Sequence, residues 1–151
     1  LLALVVALPV VFVLAGSARA VRGAAWLVGP ALVATCAAAA ARDRYLADGH
    51  ELLAVPGSNG HVDLRKLLLE LAGRGVNEVL VEAGPRLAGA FARAGLVDEY
   101  RIFVAPKLLG SSARPLFELP LNRMAEAPEL QIVDIRAVGD DWQITAVPKA
   151  R

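Results

Sequence analysis

Residues 77–95, NEVLVEAGPRLAGAFARAG, decide how the chain is read. The stretch 77–82 reads as a short buried strand, with Val79, Leu80 and Val81 apolar and Gly84-Pro85 breaking the run. Pro85 suits the first position of a helix, because its ring fixes φ and its missing N–H would have had no partner there. Leu87, Ala88, Phe91 and Ala94 then fall on one helical face, and Gly95 stands past the end. A strand that passes through a tight glycine turn into a helix is the unit of an α/β layer. It also leaves a lone carboxylate, Glu82, at the carboxyl end of a strand.

The flanks repeat the pattern. Upstream, 10–14 and Leu32–Thr35 are short β-branched stretches bounded by breakers, as buried strands are. The segment 37–49 reads as a helix stopped by Gly49, and HELLAV (50–55) as a strand ending at Pro56-Gly57. Asp63 can N-cap a helix in which Leu64, Leu67, Leu68, Leu71 and Ala72 form one apolar stripe. Downstream, 100–105 is a further strand. LQIVDIRAV and WQITAV, separated by Gly139-Asp140-Asp141, read as a hairpin with a three-residue turn. The expected fold is therefore α/β: a mainly parallel central sheet flanked by helices, with a C-terminal antiparallel hairpin. One domain over 1–151 is long enough to bury a core.

Composition narrows the function. Sixteen Lys and Arg stand against fifteen Asp and Glu, a net charge of +1, so nothing points to a nucleic-acid partner. One cysteine, Cys36, and two histidines, His50 and His61, supply neither a disulfide nor a metal site. Uncharged apolar runs over 1–18 and 24–41 have the length of membrane spans, and Ala18-Arg19-Ala20 resembles a cleavage site. Pro9, Gly16, Gly29 and Pro30 cut those runs into strand lengths, which argues against membrane insertion. Without an initiating Met, the chain reads as a fragment of something longer.

In open α/β sheets, ligands occupy the crevice beyond the carboxyl ends of the strands, where helix N-termini present free amides. Amides from Gly84 through Leu87 would face an anion there, and glycines at 84 and 89 would permit close backbone approach. Glu82 could accept hydrogen bonds from hydroxyls, or it could simply cap the Pro85 helix. The glycine spacing is not the dinucleotide fingerprint G-x-G-x-x-G.

The run LVEAGPRLAGAFARAGLVDEYRIFVAPKLLGSSARPLF (80–117) resembles the signature of the reductase domain that forms the C-terminal half of the riboflavin-biosynthesis deaminase/reductase. LVEAG, LVDE, APKLLG (105–110) and the closing VGDDWQITA occur in the family's order. VFVLAGSARAVRGAAWL resembles its VVLDSRLRVP segment, with Ser17 at the family's serine. The resemblance implies a dihydrofolate-reductase-like fold, a cytoplasmic homodimer, and NADPH-dependent reduction of 5-amino-6-(5-phosphoribosylamino)uracil to the ribityl product, with hydride passing from nicotinamide C4 to sugar C1′. It implies substrate contact by Glu82, and cofactor contact by Ser17 and by Gly84, Pro85, Arg86, Leu87, Ala88, Gly89 and Ala90. No catalytic acid or base is selected.

Two departures bear on activity. The family's zinc deaminase domain has no counterpart in the sequence, and the early reductase strand and loops are expected to be missing. Val5 lies nearest the position where relatives carry a substrate arginine. The alternatives are a truncated or divergent non-catalytic module, or a reductase of a related pyrimidine. Lys107 and the Asp98-Glu99 pair read as surface and turn residues, and Trp26 and Trp142 as core or edge aromatics.

Overall fold

A computed structural model describes residues 11–13, 32–35, 46–47, 49, 51–57 and 60–149. Ser17, Val5, Trp26 and Cys36 lie outside the described residues, as does most of the expected helix over 37–49. The described end of that helix keeps Gly49 at φ +80°, with its N–H donating to the Leu46 carbonyl at 3.0 Å. No helix among the described residues is long and apolar enough to cross a membrane. The chain divides into two compact units, Leu1–Ala83 and Gly84–Arg151.

The first unit holds a parallel sheet in the order β1 (Val11–Val13), β2 (Leu32–Thr35), β3 (Glu51–Ala54). After β3 the chain doubles back. Pro56 bridges Val62, and the Asp63 N–H donates to the Val55 carbonyl at 2.9 Å. Asp63 then caps α1 (Leu64–Gly73) by accepting from the Lys66 N–H at 3.0 Å. The predicted stripe faces inward: Leu67 and Leu71 are almost fully buried with Leu53, Val55 and Val62, and Leu64, Val76 and Val79 pack around them. Ala72, at the edge of the stripe, is exposed.

The expected strand over 77–82 does not form: this run pairs with no strand among the described residues. Strand propensity measures fit to a pleated surface with neighbours on both sides. Val76 and Val79 instead pack on the α1 core while Leu80 stays 47% exposed, so the run makes side-chain contacts without a ladder.

The second unit begins with α2 (Pro85–Arg93) and continues into an antiparallel sheet in the order β4 (Tyr100–Val104), β6 (Asp141–Pro148), β5 (Leu130–Val138). A 3₁₀ turn over Met124–Glu126 precedes β5. The described strands pair as a parallel three-stranded sheet in the first unit and an antiparallel three-stranded sheet in the second. The hairpin turn has two residues, Gly139 and Asp140, because Asp141 already pairs with Val138. Gly139 adopts φ +61°, which a tight right-twisted hairpin requires at that corner. A bulge between Ile132 and Asp134 shifts the register of β5. Trp142 is 53% exposed and is no core residue, since it stands at the turn end of β6.

Candidate active site

α2 starts as its sequence requires. Gly84 is the N-cap in extended conformation (φ −67°, ψ 168°), Pro85 opens the helix, and Gly95 at φ +62° closes it by donating to Ala92 O at 3.2 Å. No side chain caps the first turn. The amides of Arg86 and Leu87 therefore carry the partial positive charge of a helix start without a carboxylate to neutralise it. A Cβ added at Gly84 would meet nothing within 4 Å, so the entrance to this turn is open.

Glu82 does not act as the cap, which removes the simplest structural role for it. Its residue is half-buried, and its Oε2 is buried with no hydrogen-bond partner. A buried carboxylate oxygen without a donor is costly, and no group of the chain satisfies this one.

Within the expected cofactor stretch, Gly84 and Arg86 are exposed, Pro85, Leu87 and Ala90 are half-buried, and Ala88 and Gly89 are buried. Gly89 makes room for backbone rather than leaving an open path: a Cβ there would collide with Glu118 O and lie 3.0 Å from Glu118 C and N. The buried face of α2 is accordingly Ala88, Gly89 and Phe91, while Ala94, expected inside, is exposed. Glu118 is the residue that sequence reasoning missed. Its N–H donates to the Pro85 carbonyl at 2.9 Å, and its Oε2 accepts from Arg86 Nε at 3.3 Å. A contact across 32 residues leaves no local signal.

Glu99 pairs with Arg101 at 2.6 Å and Arg123 with Glu126 at 2.8 Å, all on the surface. The Arg123 guanidinium beside Glu126 holds its carboxyl below the usual carboxylate range, helped by the Asn122 N–H. Lys107 is exposed. Among the described residues, no group of three or more His, Cys, Asp or Glu could hold a metal ion.

The chain is 50% identical to riboflavin biosynthesis protein RibD of Escherichia coli (strain K12) over 90 residues, which is 59% of this chain and 24% of that protein. It is 30% identical over 92 residues to a protein of Buchnera aphidicola subsp. Acyrthosiphon pisum named 5-amino-6-(5-phosphoribosylamino)uracil reductase, covering 60% of this chain and 44% of that one. Among solved structures, Acinetobacter baumannii RibD (form 2) superimposes with a TM-score of 0.64 at 26% identity, over 79% of this chain and 31% of that one. The chain spans about a quarter of the length of the RibD relatives it matches. The family model described as the RibD C-terminal domain matches residues 7–144, most of the chain, which therefore belongs to that family.

Proposed function

We propose that the chain carries the reductase activity of riboflavin biosynthesis: NADPH-dependent reduction of the ribosyl group of 5-amino-6-(5-phosphoribosylamino)uracil to the ribityl product, in the cytoplasm and as a homodimer. The observation that carries this reading is the family match over residues 7–144. It is supported by a relative named for that reductase activity. The expected architecture is the dihydrofolate-reductase-like one.

The residues present fit the cofactor. An uncapped helix start with open space at Gly84 suits a phosphate group, and an acidic cap that would repel it is missing. When bound, NADPH supplies the hydride that reduces C1′ of the sugar. In this reading the start of α2 holds the phosphate-bearing half through the amides of Gly84, Arg86 and Leu87, with Arg86 adding a cation. Ser17 contacts the cofactor as well. Glu82 accepts hydrogen bonds from the ribose hydroxyls and so orients the sugar, using the Oε2 that lacks a partner within the chain.

The test is the decrease in NADPH absorbance on adding the phosphoribosylaminopyrimidine to purified chain, with the ribityl product identified by mass. Substrate-dependent oxidation is expected. NADPH binding without turnover would favour a non-catalytic module of the same fold.

A further inference from the structure

Glu118 lies outside the segments that the proposed function uses, yet it makes three independent contacts with the start of α2. Its N–H donates to the carbonyl of Pro85, the first helical residue. Its carboxylate pairs with Arg86. Its backbone fills the space beside Gly89, where a side chain would collide with it. The preceding residue is anchored in turn: Phe117 packs edge-on against Tyr100 of β4, with ring centroids 5.8 Å apart and planes at 89°. The segment therefore ties the first turns of α2 to the antiparallel sheet, entirely within the second unit.

We propose that Glu118 is a positioning residue: its backbone straps the first turn of α2 and fixes the direction of the Arg86 and Leu87 amides. This rests on the reading that these amides hold the cofactor. The backbone carries the strap and the charge contributes little, because the Arg86 and Glu118 side chains are 87% and 58% exposed. A Gly inside a helix ordinarily weakens it, and Ala at that position ordinarily strengthens it. The strap reverses that sign at Gly89, since the new Cβ has to push the Glu118 backbone away.

The experiment is Gly89→Ala in the full chain, read by amide hydrogen exchange at residues 88 and 118, whose N–H groups donate to the Gly84 and Pro85 carbonyls, without cofactor and by steady-state kinetics. Exchange there should accelerate by about tenfold or more, as a lost local restraint would produce. The KM for NADPH should rise about tenfold while kcat stays within twofold, which separates misplaced cofactor binding from general loss of fold. Slowed or unchanged exchange in the folded variant would overturn the strap. Faster exchange with an unchanged KM for NADPH would overturn its link to the cofactor. If Gly89→Ala does not fold, Phe117→Ala removes the ring that anchors this segment on Tyr100 without adding bulk beside Gly89, and the same outcomes decide. Wild-type chain that fails to bind NADPH would count against the cofactor reading alone, because the exchange data still decide the strap.

Discussion

Arg136 on β5 directs two donors, Nε at 3.0 Å and Nη2 at 2.9 Å, onto the side-chain carbonyl of Gln143 directly opposite on β6. Gln143 is only 4% exposed, so water cannot readily replace the guanidinium. Arg136→Met keeps the aliphatic stem but leaves that carbonyl unsatisfied, at a cost of about 1–3 kcal/mol. Urea unfolding should show a lower midpoint with an unchanged slope. A midpoint equal to that of the wild type would mean that Gln143 is held by other groups.

Gly84→Val separates cofactor binding from folding. The Gly84 backbone lies in a region that valine adopts freely, and its Cβ would project into open space. The variant should fold with wild-type stability. In the proposed reading its side chain enters the path of the cofactor and raises the NADPH dissociation constant tenfold or more, about 1.4 kcal/mol. An unchanged titration would move the cofactor away from this turn.

Pairing of two copies is the expected assembly. β5 is exposed along its whole length, with Ile132, Val133 and Ile135 each more than half exposed, and Leu108 and Leu109 on the APKLLG segment are exposed as well. A two-fold arrangement buries one such patch against itself. Light scattering should report twice the chain mass at micromolar concentration. A single-chain mass across a wide concentration range would rule the pairing out.

What was legible in the sequence was local. The Asp63 cap, the Leu67–Leu71 stripe, Pro85 at the start of α2 and glycine at its end all depend on neighbours within one or two turns, and each is found. The strand expected over 77–82 fails because a ladder needs a partner that the run itself cannot specify. The same limit explains Gly89. Its neighbours in sequence suggest an open approach for a ligand, whereas the group it admits is the backbone of Glu118, far along the chain. The hairpin turn is one residue shorter than the expected three, because Asp141 enters the ladder rather than the loop. Glu82 was legible as a lone carboxylate before a helix, but only the structure separates it from the cap.

Glu82→Gln, measured for turnover and for stability on the same preparation, tests most directly whether this carboxylate serves the substrate. The variant should keep or raise its melting temperature, because Glu82 neither caps α2 nor makes a hydrogen bond through its buried oxygen. It should also keep most of its NADPH affinity. Reduction of the phosphoribosylaminopyrimidine should fall by about 10- to 150-fold in kcat/KM, the equivalent of losing roughly 1.5–3 kcal/mol from a charged hydrogen bond to a sugar hydroxyl. A lower melting temperature with unchanged kcat/KM per folded molecule would contradict the account and make Glu82 part of the architecture.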